Sequence, residues 1–377
     1  MIKKVRIGHL ASFQGNLGDV ANHLGFRSWF ERNLGSPTDW VDIEIRDFYR
    51  GFRNFDDNFA NEVNKFDIFI IGGGNYFELW PTNSRTGCSI DLPVYLLEKI
   101  RTPIFFNALG LDDGQGVSQN ALKYFPEFIS AIIENSHNLL TLRNDGSHSA
   151  LTANFMELQS LQIPVLPDHG FFSMEQCGIS RSRDHNKLVL GVNLAQDMPE
   201  IRFPNEKKDF LQALSLILKE VKFERVIFFP HVFSDLGIIA DLLEIIPDPI
   251  RRGKTSVAAF GSTEGEIRNI LESYGRIDIM LGMRFHANVL PLSLGIPTIG
   301  LATYPQIIKL FKEIEMENWV INCHNEGWEK RAIKKFQEFE EHRTQVELEF
   351  SKVQLRIRRQ RTDFEPTLVA WLKFVLH

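Results

Sequence analysis

Along the chain, short β-rich apolar runs repeatedly end in Gly, Asn or Asp and give way to apolar positions spaced three and four apart. That alternation of period two and period 3.6 is the pattern of βαβ units, and it predicts an α/β protein with parallel sheets. Two series can be traced. The first holds the strands VRIGHLASF, FDIFIIGGGNYF, TPIFFNALGLDDG and LLTLRNDGSHSAL, with the helix DVANHLGFRSWFERNLG stopping at Gly35. The second holds LVLGVNL, RVIFFPH, SVAAFG and IDIMLG, with helices over KKDFLQALSLILKEV and EGEIRNILESYG. Between them, residues 166–187 turn polar and Gly-containing, which places a domain boundary there. The expected domains are 1–178 and 179–345, followed by a helical tail over 346–377.

In that tail, KVQLRIRRQR is basic. A solvated helix face is the expectation, since local charge runs are usually exposed; peripheral contact with an anionic membrane surface is the alternative.

Composition narrows the class. A chain of 377 residues exceeds what one core usually serves, in keeping with two domains. The net charge of −6 argues against nucleic acid as a partner. Cys88, Cys177 and Cys323 form no CxxC pair, so neither a metal site nor a disulfide framework is signalled, and a reducing, cytoplasmic compartment is expected. The start, MIKKVRIGHLASF, has no apolar core of signal-peptide length and reads as a first strand. The run VLPLSLGIPTIGLA is broken by Gly and Pro and is too short to span a bilayer.

In open α/β sheets, ligands sit beyond the carboxyl ends of the strands, so the polar residues there are the candidates. They are Asn16 and Asp19, the turn of Gly73, Gly74 and Asn75, then Asn107, Arg143, His231, Arg284 and His286. Arg284 and His286 fall in the first turn of a helix, where free N–H groups favour an anion. A guanidinium matches carboxylate or phosphate, and an imidazole can move a proton near neutral pH. Arg143 is a second cation at a strand end; a salt bridge to Asp145 or Asp19 is its structural alternative. Asp19 is placed as a helix N-cap. The glycines match neither GxGxxG nor GxxxxGK[ST], which removes the dinucleotide and P-loop fingerprints.

Taken in order, GNLGD, FIIGGGNYF, LRNDGSHSAL, LPDHGFF, LGVNL, FFPH and LGMRFHANVLPLSLGIPTIGLATY resemble the polysaccharide pyruvyl transferase family, over about residues 8 to 320. The resemblance implies two Rossmann-like domains facing across a cleft, a glycosyltransferase B-like fold. It implies transfer of pyruvyl from phosphoenolpyruvate, a co-substrate and not a resident cofactor, onto two sugar hydroxyls as a ketal. The acceptor would be a sugar or lipid-linked glycan precursor of a cell-surface polysaccharide, met in the cytoplasm or at the inner membrane face.

Carried over by position, Arg143, Arg284 and His286 would surround the donor, with His286 and Arg284 catalytic; His231, from its own place after a strand, is expected as a further donor contact. Asn16, Asp19, Gly73, Gly74, Asn75 and Asn107 would face the acceptor. One departure stands out: Gln306 occupies the place of a lysine that meets the donor in the family, and Lys309 follows three residues on. A nucleotide-sugar glycosyltransferase of the same architecture and a non-catalytic glycan-binding member are the rival expectations.

Overall fold

A computed structural model describes residues 4–182, 187–203, 205–261 and 263–376. The chain divides into two compact units. The first contains the chain up to Phe13, Phe26–His169 and the stretch from Arg359 onward; the second contains Gln14–Gly25 and Gly170–Arg358.

The first unit is built on strands β1 (Val5–Ala11), β2 (Thr38–Glu44) and β3 (Ile68–Gly72), a short β4 (Phe77–Glu78), β5 (Ile104–Leu109), a short β6 (Leu111–Asp112), β7 (Leu139–Arg143) and β8 (Val165–Leu166). Its main sheet runs β2-β1-β3-β5-β7-β8, with β4 and β6 pairing apart from it. Every pairing is parallel. The central strands are apolar on both faces, as parallel strands covered by helices must be: all five residues of β3 and all six of β5 are buried.

The second unit carries β9 (Val189–Asn193), β10 (Arg225–Phe228), β11 (Thr255–Val257), β12 (Ile279–Gly282), β13 (Thr298–Ala302) and β14 (Val320–Asn322), in the order β11-β10-β9-β12-β13-β14. This is the 3-2-1-4-5-6 order of a doubly wound sheet, whose switch point lies where β9 meets β12. Register sets Gly282 opposite Asn193, so both strands end at that crevice together.

Three expectations from the sequence change. The boundary falls between His169 and Gly170, because Phe171, Phe172 and Met174, on the helical turns His169–Phe172 and Ser173–Gln176, pack into the second unit's core. Residues 14–25, the start of helix Leu17–Leu34, also belong to the second unit. The tail is no separate element: one helix, Arg343–Leu376, gives Val346, Phe350, Val353 and Ile357 to the second unit's core and Phe364, Leu368, Trp371 and Leu372 to the first unit's. Its arginines are answered within the chain. Arg356 pairs with Glu315 at 2.7 Å, Arg358 with Glu175 at 3.2 Å and Arg359 with Asp363 at 3.6 Å, while Arg361 lies over the Trp29 ring. Among the described residues, no helix is long and apolar enough to cross a membrane.

Candidate functional site

The second unit gathers its polar residues at the switch point. Asn193, fully buried at the end of β9, donates from Nδ2 to the Phe229 carbonyl at 2.8 Å and accepts from the Arg284 amide at 2.9 Å. That amide bond fixes Arg284 in an extended conformation at the N-cap of helix Phe285–Ser293. Every residue of this helix is buried, so the guanidinium leaves it at a rigid point.

Two carboxylates grip that guanidinium. Arg284 donates from Nε and Nη2 to Asp235 at 2.8 and 2.5 Å, and from Nη2 to Asp197 at 2.6 Å. Asp235 is wholly buried and also accepts from the amides of His231 and Val232, at 2.9 and 3.1 Å. It is therefore a fixed anchor at the start of helix Asp235–Ile245. Asp197 is different, since its side chain is 39% exposed. Burial works against the Arg284 charge, but Asp235 and Asp197 outweigh it and its pKa goes up.

A second guanidinium lies beside the first. Arg202 donates from Nη1 to Thr303 Oγ1 at 3.1 Å and from Nε to the Asp197 carbonyl at 3.0 Å, and its Nη2 meets the Asp197 carboxylate at 3.4 Å. Burial lowers its pKa and the neighbouring Arg284 charge adds to that, with Asp197 opposing both. Burial would raise the Asp197 pKa, yet Arg284 and Arg202 pull it below the usual carboxylate range. One exposed carboxylate thus serves two buried cations.

His231, three residues past the end of β10, is buried and pairs through Nε2 with the Tyr274 hydroxyl at 2.6 Å. Burial, then the charges of Arg284 and His286, hold its pKa well below the ordinary value. It stays neutral, and its readable role is to orient, not to titrate. His286, in the first turn of its helix, lies against Gly18: a Cβ on that glycine would come within 2.1 Å of the His286 Nδ1. The QGNLGD glycine is therefore needed for close approach to an imidazole.

Asn16 caps that loop, its Oδ1 accepting from the Gly18 amide at 2.9 Å. The helix begins at Leu17, so Asp19 sits inside its first turn and the capping place expected for it goes to Asn16. Both residues were expected on the acceptor side of an N-terminal domain; they belong to the unit that holds Arg284 and His286. Gln306 and Lys309 lie half-buried on helix Pro305–Glu313, which begins two residues after Thr303.

In the first unit, Arg143, expected at the donor, meets its partners inside the unit. It is 2% exposed, donates to Asp145 Oδ2 from Nε and Nη2 at 2.8 and 2.6 Å, and has Asp168 at 3.5 Å. Despite burial its pKa goes up under Asp145 and Asp168. It also donates to Asn75 Oδ1 at 3.3 Å, and Asn75 donates to Asp112 at 2.8 Å. The cation is already neutralised inside the unit, as the salt-bridge alternative anticipated.

The triple-glycine turn likewise serves packing. A Cβ on Gly72 would strike the Asn107 carbonyl at 2.3 Å, and one on Gly74 the Tyr76 ring at 2.4 Å, while Gly73 takes φ +87° and donates to the Asn107 carbonyl at 3.2 Å. Asn107 is fully buried and bonds His169 through Oδ1 at 3.0 Å. Gly73, Gly74 and Asn107, expected as acceptor contacts, thus each hold a packing or hydrogen-bonding place within the first unit.

Sequence reading missed Asp197, Arg202, Tyr274 and Asp168. Asp197 and Arg202 lie four and nine residues past the end of β9, in QDMPEIRF, so the strand-end rule carried further would have reached them. Tyr274 ends a helix and left no such signal.

The model of the family described as polysaccharide pyruvyl transferase matches residues 16–304. No curated protein matches the chain. Similar solved structures include a glycosyltransferase from Rickettsia africae ESF-5, 12% identical over 99% of each chain with a TM-score of 0.57. An α,α-trehalose 6-phosphate synthase from Burkholderia multivorans is 10% identical over 100% of this chain and 99% of that one, with a TM-score of 0.51. MnaA of S. aureus, solved with UDP, is 9% identical over 92% and 91%, with a TM-score of 0.53. At these identities the likeness establishes the fold, which is glycosyltransferase B-like.

Proposed function

Since the chain belongs to the polysaccharide pyruvyl transferase family, we propose that it transfers pyruvyl from phosphoenolpyruvate to two hydroxyls of a glycan acceptor, in the building of a cell-surface polysaccharide. The observation that carries this reading is the pair of guanidiniums, Arg284 and Arg202, sharing the exposed carboxylate of Asp197. A carboxylate held that way marks where a ligand anion can bind. Asp235 cannot leave, so Arg284 stays aimed while Asp197 yields its place.

In this reading the donor's phosphate or carboxylate meets Arg284 and Arg202, with Gln306 and Lys309 on the neighbouring helix as further contacts. His286 protonates the methylene carbon as one acceptor hydroxyl attacks the central carbon and gives up its own proton. The second hydroxyl then displaces phosphate and closes the ketal, its proton leaving as well. The fixed guanidiniums stabilise the departing phosphate. His231, held neutral between Tyr274 and the Arg284 anchor, keeps the cluster in register.

Gln306 brings no charge where the family has a lysine, which makes Arg202 the compensating cation. The test follows phosphate release from phosphoenolpyruvate with candidate glycans. Arg284→Ala and His286→Ala are expected to abolish release, and Asp197→Asn to lower the KM for phosphoenolpyruvate severalfold. A wild-type rate equal to that of Arg284→Ala sinks the reading. So does a melting temperature raised by uridine or guanosine diphosphate but not by phosphoenolpyruvate, which would favour a nucleotide-sugar transferase.

A further inference from the structure

The first unit contains a pocket of about 410 Å³ between the segment around Tyr49 and the loop of residues 78–91. The loop is built, not loose. Arg85 donates from its amide to Asp91 Oδ1 at 2.5 Å, from Nε to Oδ2 at 2.9 Å, and from Nη2 to the Phe55 carbonyl at 3.2 Å. Ser84 Oγ donates to the Cys88 carbonyl at 2.6 Å and Thr86 Oγ1 to the Ile90 carbonyl at 2.5 Å. Across the pocket, the Phe48 and Phe55 rings stack at 4.3 Å, and Tyr49 is 46% exposed.

The charges in the wall select the ligand. Arg85 is paired with Asp91 and Arg53 with Glu62, so each guanidinium lining the pocket has a carboxylate of its own, unlike Arg284 and Arg202, which share Asp197. Glu78 accepts the Ser89 hydroxyl, and its carboxyl is pushed up to about 7, first by burial and then by Asp112, against the pull of Ser89. Parallel pairing of β4 with β6 sets Glu78 beside Asp112. An anionic ligand would meet carboxyl groups and no spare cation. The remaining wall offers an aromatic ring with hydroxyls and amides from Thr82, Asn83, Asn54 and Ser89.

An apolar face flanked by fixed hydrogen-bonding groups suits a molecule that is apolar on one side and rimmed with hydroxyls, in a volume of the small-ligand class. We propose that this pocket binds a neutral sugar ring of the glycan, with the Tyr49 ring against its C–H face and Glu78 bonded to its hydroxyls. The pocket stands on its own geometry; the glycan as the source of the sugar rests on the transferase reading.

The test uses the full chain and titration calorimetry with the methyl glycosides of glucose, galactose, mannose and N-acetylglucosamine, and with methyl glucuronide. At least one neutral glycoside is expected to bind, with affinity reduced tenfold or more by Tyr49→Ala and by Glu78→Leu, unchanged by Arg284→Ala, and with the glucuronide weaker. Far-ultraviolet spectra and melting temperatures establish that each variant is folded; Tyr49→Ala, an exposed truncation, keeps the test valid if Glu78→Leu is not. Absence of binding across the panel, or binding that Tyr49→Ala leaves unchanged, overturns the proposal. Glycoside binding without phosphate release would instead count against the transferase reading and leave the pocket standing.

Discussion

At the residue scale, the candidate site depends on what each side chain is already doing. Arg284 and His286 could be picked out because a guanidinium and an imidazole in an otherwise apolar, small-residue stretch need partners. What the one-dimensional pattern hid was the identity of those partners, because Asp197 and Asp235 lie 87 and 49 residues from Arg284. Arg143 showed the reverse: its candidate salt bridge, Asp145, was two residues away and visible. Gly18 gives the sharpest single-residue prediction. Gly18→Ala puts a methyl where the His286 ring lies, so either the ring or the helix start must move. Overpacking of this kind costs about 1–3 kcal/mol. The expected outcome is a modest fall in melting temperature with a much larger loss of phosphate release, measured on the same preparation.

At the element scale, the strands and their carboxyl ends were legible, since a buried parallel strand announces itself as an apolar run closed by Gly or Asn. The polar ends of β9, β10 and β12 do converge on one cluster. The short β4–β6 pairing was not legible, as two-residue strands leave no periodicity, yet it sets Glu78 beside Asp112. That placement has a pH consequence. Folded Glu78 keeps its proton to about pH 7, whereas the ordinary value is 4.5, so the folded state binds more protons between those values. Stability therefore falls as pH rises through that window, by at most about 3 kcal/mol.

His231 slopes the other way. Its pKa is depressed by burial and by Arg284 and His286, so the unfolded chain takes up a proton below about 6.5 that the folded chain refuses. Its contribution is complete above that value and is lost as pH falls. Denaturant titrations from pH 5 to 8 check both: Glu78→Gln is expected to gain stability over wild type toward pH 8, and His231→Gln to flatten the loss toward pH 5.

At the scale of the whole molecule, two doubly wound series were readable from alternation alone, but the chain's return at its end was not. The sequence 346–377 is charge-rich and helical, and a solvated tail accounts for its exposed face. Its other face spaces Phe364, Leu368, Trp371 and Leu372 along one helix, and these lie in the cluster with Ile7, Phe26, Trp29 and Phe105. Trp29 Nε1 bonds Glu365 at 2.9 Å, and Trp371 Nε1 bonds the His137 carbonyl at 3.0 Å. Burying each such side chain is worth about 1.5–3 kcal/mol, so four of them approach the 5–15 kcal/mol by which a domain is stable at all. Deleting residues 359–377 is therefore expected to unfold the first unit. Limited proteolysis and amide exchange would show cleavage and fast exchange across β1, β3 and β5, while a tail that merely rides on the surface would leave both patterns and the melting temperature as in the full chain.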